Sequence, residues 1–420
     1  MWSTPRMPYS SRTHRLKCNS IMVRSIKIFL SAATILCAVA CNSPMPRGNW
    51  SKAPYDALCK LIKECKAEAD AAGHNVNYAV FDFDNTTVMQ DVELAAMSWQ
   101  LENLRVRFTP DEVWSIFTTH IPDLDSVLVE AGAEGVTARM LLTDIDRDYR
   151  AMMLKAGAQC GDKLDAAQLS EVQKMPEYQD FRVKLWALYE GVYHTFDYRE
   201  GFFTIAALFH GFTYPEVDAL VKEGVAAQVA KKCIKDIVWE SPDMGAAGKV
   251  RYVIPDGLAL SDEMRSLYKA LQENGVDVYV FSASLEAAVE AMACDPQYLG
   301  LDTSRVFALR MKKDDSDLVL QEYRPGYVRP YKDGKSKAIR AYVSPLYDGR
   351  DPVLIGGDSI GDYWMLTEFP GMRVGLIIDK NQTGPLGELR QQALDAEAGG
   401  APSRYVLQRR GDPEPRFSRK

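Results

Sequence analysis

The feature that most constrains this chain is Tyr78-Ala79-Val80-Phe81-Asp82, a short β-prone apolar run that ends on a carboxylate. Such a run suits a buried parallel strand whose C-terminal edge presents the acid. The next comparable run is Val276–Phe281, and strong helical signals fill the interval. Thr109-Pro110-Asp111-Glu112 and Thr213-Tyr214-Pro215-Glu216 each place a Thr cap three residues before a Glu, with Pro in the first turn. The pattern predicts an α/β core interrupted by a large, mainly helical insertion. Beyond it, Val306–Met311 with Leu318–Glu322 reads as a hairpin, and Val353–Ile355, Arg373–Ile378 and Arg404–Gln408 read as strands.

Composition narrows the partners. At 420 residues, 47 % hydrophobic and 25 % charged, the chain is long enough for two or three domains, and disorder, collagen and coiled coil are excluded. A net charge of −7 argues against nucleic acid, because phosphate-backbone binding calls for a basic face. Residues 1–41 carry six cations and no acid, which leaves 44 Lys+Arg against 57 Asp+Glu, or −13, for the rest. Within that segment Arg24 and Lys27 precede the apolar run Ile28–Ala40, which closes on Ala38-Val39-Ala40-Cys41. A cationic start, a short apolar core and small residues before a cysteine resemble a bacterial lipoprotein signal, with Met22 as a conventional start. Thirteen apolar residues fall short of the roughly 20 that span a bilayer. The expectation is lipid attachment at Cys41 and a place in the bacterial cell envelope, with Asn42 resembling an outer-membrane sorting context. Residues 42–54 then read as a polar tether and 411–420 as a polar tail.

The other cysteines of this mature chain are Cys59, Cys65, Cys160, Cys233 and Cys294, without CxxC or interleaved His at zinc-ligand spacing. Cys59 and Cys65 fall in the helical pattern Tyr55–Ala72, about 9 Å apart along its axis, so a disulfide between them would break the helix. All five read as small buried side chains. His120, His194 and His210 lack a partner pattern and read as structural.

Chemistry collects at the strand ends. Asp82-Phe83-Asp84-Asn85-Thr86-Thr87 offers two carboxylates at the crevice position where open α/β sheets bind ligands. One can attack a phosphoryl group while the other handles protons, although a lone DxD reads rather as a turn or helix cap. Three further elements accompany it: Phe281-Ser282-Ala283-Ser284 with hydroxyl donors, Asp333-Gly334-Lys335 at the start of a helix, and Gly356-Gly357-Asp358-Ser359-Ile360-Gly361-Asp362 with acids four apart. Hard oxygen ligands of this kind suit Mg²⁺.

In this order and context the set resembles the haloacid dehalogenase superfamily of phosphohydrolases, over about residues 75–380. The resemblance implies a Rossmann-like parallel sheet with helices on both faces, built from residues 55–95 and 255–410, and a helical cap from 96–254. It implies that Asp82 is the nucleophile and a metal ligand, and that Asp84 is the general acid/base with its backbone carbonyl on the metal. Thr86, Ser282 and Lys335 form the phosphate-binding group, Thr86 also supporting the loop. Asp358 ligates Mg²⁺, and Asp362 orients Lys335 or a metal-bound water. Lys337 and Ser284 are the alternatives to Lys335 and Ser282, the former reading better as solvated surface and the latter as a cap for the helix near Leu285.

An acid at position 84 points to phosphate monoesters, since family members that cleave carbon–halogen or carbon–phosphorus bonds generally lack it. Asp91 and Glu93, just downstream, resemble the substrate-binding acids of the phosphoserine phosphatase and phosphorylcholine phosphatase branch. They imply a small amine-bearing phosphomonoester; the competing reading is an acidic pair at a helix start. Aromatics of the insertion, among them Trp99, Trp186, Tyr193 and Trp239, read mostly as core, with a cation–π box for choline as the sharper alternative. Two other functions stay open: a broad-specificity acid phosphatase, and a catalytically silent, lipid-anchored ligand-binding protein.

Overall fold

The computed structural model describes residues 43–411 and 417–418. Lipidation at Cys41 and the signal segment lie outside the described residues. Among those residues, no helix is long and apolar enough to cross a membrane.

Strand β1 (Asn77–Phe81) is buried along its whole length, as an unbroken apolar run requires when both faces of the sheet are covered. Before it, α1 (Lys52–Ala72) buries Leu58, Leu61, Ile62 and Cys65 and ends at Gly73, whose φ of +76° lets its N–H reach Ala69 O at 2.8 Å. After β1 come α2 (Val92–Glu102), α3 (Val113–Thr118), α4 (Ala138–Ala156), α5 (Ala166–Val172), α6 (Pro176–Thr195), α7 (Tyr198–Ala207) and α8 (Tyr214–Ala230). The chain then forms a hairpin of β2 (Lys235–Glu240) and β3 (Arg251–Asp256), followed by α9 (Asp262–Glu273), β4 (Val276–Leu285), α10 (Glu286–Ala293) and β5 (Val306–Leu309). A two-stranded unit, β6 (Met311–Lys313) with β7 (Val319–Tyr323), precedes α11 (Asp333–Ala338), β8 (Leu354–Gly357), α12 (Tyr363–Thr367), β9 (Val374–Asp379), α13 (Gly384–Glu397), β10 (Tyr405–Arg410) and β11 (Phe417–Ser418).

Seven strands form one sheet in the order β11-β10-β9-β8-β1-β4-β5, parallel throughout except for β11. The fold is therefore the α/β class expected, a mostly parallel sheet flanked by helices. Strand β1 lies between β4 and β8, so the chain leaves it toward one edge and later returns to its other side. This is the switch point where such sheets open a crevice.

Both Thr caps form as anticipated. Glu112 Oε2 accepts from Thr109 N and Oγ1 at 2.8 Å, and Glu216 Oε2 accepts from Thr213 N at 2.9 Å and Oγ1 at 2.8 Å. The insertion packs around Phe108, Tyr149 and Phe181, with ring centroids 5.0 and 5.4 Å apart, in one hydrophobic cluster with Ala79 and Phe81 of β1. Full burial of such side chains contributes about 1.5–3 kcal/mol each. Beside these rings α4 and α6 enclose a charged cluster. Lys184 Nζ donates to Asp144 Oδ2 and Asp180 Oδ2 at 2.8 Å and to Met244 O at 2.6 Å. Arg147 donates to Asp144, Asp148 and Asp180.

Several expectations need correction. The segment read as a polar tether is docked in part: Met45, Trp50 and Ser51 are buried, and the Trp50 and Phe417 rings lie 4.9 Å apart. Ser51 N donates to Gln408 Oε1 at 2.8 Å and Ser51 Oγ to Ser418 O at 3.0 Å, so the polar-tail reading fails at Phe417–Ser418 too. A large aromatic in each otherwise polar stretch is the reason. Val306–Leu309 joins the main sheet beside β4, and the hairpin begins only at Met311. The insertion is mainly helical as expected, with β2 inside 96–254 and β3 straddling its end. Cys233 is exposed and Cys294 half-buried, whereas Cys59, Cys65 and Cys160 are buried.

Candidate active site

The ends of β1, β4 and β8 bring four distant segments together. Asp82 follows β1 directly, and its N–H continues the ladder to Gly356 O at 3.0 Å. Asp358 follows β8 in the same way. Between them Thr86 Oγ1 donates to Asp82 Oδ2 at 3.1 Å and to Asp358 Oδ1 at 3.0 Å. The turn after Asp82 places Asn85 at φ +59°, a conformation that Asn tolerates better than most residues. Thr87 Oγ1 donates to Asp82 O at 2.7 Å and closes the loop beneath.

Lys335, buried on α11, donates to Asp82 Oδ1 at 2.5 Å and Asp362 Oδ1 at 2.6 Å. Gly334 precedes it because a Cβ there would run into Arg329 O. Burial alone would lower the Lys335 ammonium, but Asp362 and Asp82 outweigh it and hold the proton on. Asp362 Oδ2 accepts from Asp358 N at 2.9 Å and Ser359 N at 3.0 Å, so both its oxygens are occupied by the chain. Gly357 admits this approach: a Cβ at that position would lie 2.6 Å from Asp362 Cβ. Lys337 is exposed and pairs with Asp333 across one helical turn, away from this cluster.

Asp84 is held by three donors, Val92 N at 2.7 Å, Ser284 Oγ at 2.7 Å and Ser282 Oγ at 3.2 Å. Burial raises its carboxyl above the ordinary range, against the pull of those donors. The two serines differ from expectation. Strand β4 runs on to Leu285, so Ser282 and Ser284 share a face and both reach Asp84. Ser284 is no helix cap: it lines the cavity, whereas Ser282 is fully buried and accepts from Ser284 N at 3.0 Å.

The downstream acids separate. Asp91 lines the same cavity and caps α2, accepting from Leu94 N at 2.9 Å. Glu93 is buried in α2 and accepts from Leu285 N at 2.9 Å, which secures the start of α10. Its expected place at the far end of a substrate is therefore corrected to a buried structural one. Burial, with Asp91 adding to it, pushes the Glu93 carboxyl well up.

The cavity holds about 250 Å³ and is also lined by Tyr193, Tyr331, Lys332 and Lys380. Lys380 Nζ lies 3.2 Å from Asp358 Oδ2, and Gln382 Nε2 donates to Asp358 O at 2.7 Å. Arg410, at the end of β10, donates to Asn85 O and, at 3.2 Å, to Asn85 Oδ1. Sequence reasoning missed these residues. Lys380 and Arg410 both stand just beyond predicted strands, the same positional signal that marks Asp82 and Asp358. The aromatics Trp186, Tyr189, Phe202 and Trp239 are core, as anticipated.

The donor set fits a hard divalent cation. Carboxylate oxygens of Asp82, Asp358 and Asp362 lie within 4.8 Å of one another. Burial, then the neighbouring carboxylates, pushes Asp82 well above its usual range; burial also raises Asp358, against the pull of Lys380. Asp82 and Asp358 line the cavity whereas Asp362 does not, so Asp82 and Asp358 are the acids placed to ligate.

No protein-family description matches the chain, and no curated protein does. Among solved structures it is similar to a conserved functionally unknown protein from Anaerococcus prevotii DSM 20548. That pair shares 28% sequence identity with a TM-score of 0.80 over 90% of this chain and 97% of the other. Looser likenesses include a protein with unknown function from Bordetella pertussis Tohama I, at 12% identity and TM-score 0.39 over 78% of this chain and 97% of that one. Another is a phosphoserine phosphohydrolase-like protein from Francisella tularensis subsp. tularensis SCHU S4, at 13% identity and TM-score 0.30 over 72% and 87%. Superpositions as loose as these last two carry no inference about activity.

Proposed function

We propose that this chain is a phosphomonoester hydrolase of the haloacid dehalogenase type. One observation carries the reading: Lys335 bridges Asp82 and Asp362 in the crevice beside β1, with Asp84 and Asp358 on the same cavity wall. An Asp82 oxygen attacks phosphorus, the ester P–O bond breaks, and Asp84 gives its proton to the departing alkoxide. Water, losing a proton to Asp84, then attacks phosphorus and breaks the P–O bond to Asp82, which releases phosphate. Lys335 holds positive charge beside the transferring group, and Ser284 with Ser282 aims Asp84. Asp82, Asp358 and the Asp84 carbonyl would hold Mg²⁺, which supplies charge neutralisation to the phosphoryl oxygens.

Turnover of an aryl phosphate with and without chelator tests this directly. Activity that is lost on chelation and restored by Mg²⁺ supports the proposal, and a chain inert in both conditions contradicts it. The amine-bearing substrate now rests on Asp91, since Glu93 is spent inside the fold. Asp91→Asn should lower kcat/KM for phosphocholine or phosphoserine more than for a neutral ester. Lipid attachment at Cys41 completes the reading, and Cys41→Ala should move the protein out of the membrane fraction.

A further inference from the structure

Arg410 ends β10, and in the sheet β9 and β8 lie between that strand and β1. Three strand spacings of about 4.8 Å therefore separate it from the strand that presents Asp82. Its side chain nevertheless reaches the turn after β1. Nη2 donates to Asn85 O, and Nη1 donates to Asn85 Oδ1 at 3.2 Å. Two terminal nitrogens thus grip the backbone and the side chain of one residue.

The grip is made under unfavourable conditions. Arg410 is half-buried, and among the described residues its buried Nε finds no hydrogen-bond partner and its guanidinium no ion pair. Burial works against its charge, and Asp358 works for it. Two neutral acceptors return little of what desolvating a guanidinium costs, so the contact is poorly explained as a device for overall stability.

Asn85 is a residue where such a grip matters. Its φ is +59° and that of Gln90 is +77°, and Asn85 N donates to Gln90 O at 3.2 Å. The amide side of Asn85 is thus tied by Gln90 and its carbonyl side by Arg410. Thr86 comes next, and its hydroxyl bridges Asp82 and Asp358. Rotation of the Asn85–Thr86 peptide would carry that hydroxyl off both carboxylates. The strand that supplies the clamp is itself held, since Gln408 accepts from Ser51 N at 2.8 Å and Arg410 pairs with Phe417 of β11.

We propose that Arg410 is a positioning residue that clamps the turn after β1 through Asn85, and so keeps Thr86 between Asp82 and Asp358. The inference rests on the phosphomonoester reading and adds a residue to it. The planar fork is the active element, because it meets two acceptors at once where a lysine offers a single ammonium.

The test measures aryl phosphate turnover and amide hydrogen exchange in the wild type, Arg410→Met and Arg410→Lys. Arg410→Met should lower kcat by about 10²-fold and Arg410→Lys by about tenfold, with KM changed by less than about threefold. In both variants the amides of Asn85, Thr87 and Val88 should exchange about tenfold faster, while those of β4 keep their wild-type rates. Arg410→Lys carries the same readings if Arg410→Met does not fold. Wild-type exchange in the turn overturns the clamp whatever the turnover. So does faster exchange spread equally over β4, which marks a general loss of stability, and so does full recovery of kcat in Arg410→Lys, which assigns the effect to charge. If the wild type hydrolyses no aryl phosphate while the exchange contrast holds, the phosphatase reading falls and the clamp on the turn stands.

Discussion

Two buried clusters of carboxylates and cations can be compared in this molecule. One lies between α4 and α6 of the insertion, the other at the crevice beside β1. Their ingredients are alike: Asp144, Asp148 and Asp180 around Lys184 and Arg147 in the first, and Asp82, Asp358 and Asp362 around Lys335 in the second. They differ in what remains unspent. Lys184 gives its three donors to Asp144, Asp180 and Met244 O, and Asp144 also accepts Ala246 N and Ala247 N at 2.8 Å. That cluster ties a loop to two helices and finishes there. Lys335 gives two donors to the acids and lines a cavity, with Asp82 and Asp358 facing the same space. A buried charge becomes available for chemistry when its partners leave valence open toward a ligand.

This contrast can be broken by substitution, and the largest effect belongs to the crevice. Asp82→Asn should cut turnover by about 10⁴-fold or more, because an amide cannot form the acyl phosphate. Its thermal midpoint should hold or rise, because one of several crowded buried carboxylates has gone; unchanged turnover in a folded variant would remove Asp82 from the nucleophile role. Lys184→Met should do the reverse. Leaving Asp144 and Asp180 without their shared ammonium should cost about 3–5 kcal/mol in urea unfolding, with kcat of the folded fraction retained. Loss of kcat at undiminished stability would show that the insertion cluster also serves catalysis.

Asp84→Asn sharpens the comparison within the crevice. Losing the proton donor should slow an alkyl ester by about 10²-fold or more and a well-activated aryl ester much less. A further effect is in pH dependence. Burial, together with the adjacent Asp180, lifts Asp148 from an ordinary 3.8 to about 8, against the pull of Arg147. The folded state therefore keeps a proton that the unfolded chain has lost. Its stabilisation is complete below the unfolded value and is lost as pH rises through the folded one. Across that window the thermal midpoint of the wild type should fall more than that of Asp148→Asn, whose amide does not titrate. Parallel curves would place the retained proton elsewhere.

Much of this arrangement was legible because strand ends and acids coincide. Asp82 and Asp358 follow short buried runs, and a residue just past such a run must face the crevice of a parallel sheet. Ser282 and Ser284 were harder, since the strand continues through both and reverses which of them meets the cavity. Glu93 looked like a substrate ligand because its partner, Leu285 N, is 192 residues away. Period and spacing are local signals, and they cannot foresee a carboxylate spent on distant backbone. The same limit hid the hairpin β2–β3, although Ile237-Val238-Trp239 is a β-branched and aromatic run of the kind strands favour. Trp50 and Phe417 carried their own signal, since rings of that size are seldom left in water beside an open sheet edge.

The central claim is that Asp82 carries the phosphoryl group between two half-reactions. Rapid acid quench during turnover, followed by mass spectrometry of the proteolytic fragments, reads that state directly. The account predicts a phosphoryl adduct on the fragment containing Asp82, formed before phosphate release and absent from Asp82→Asn. Steady turnover with that fragment unmodified at every quench time, or an adduct on another residue, would contradict it.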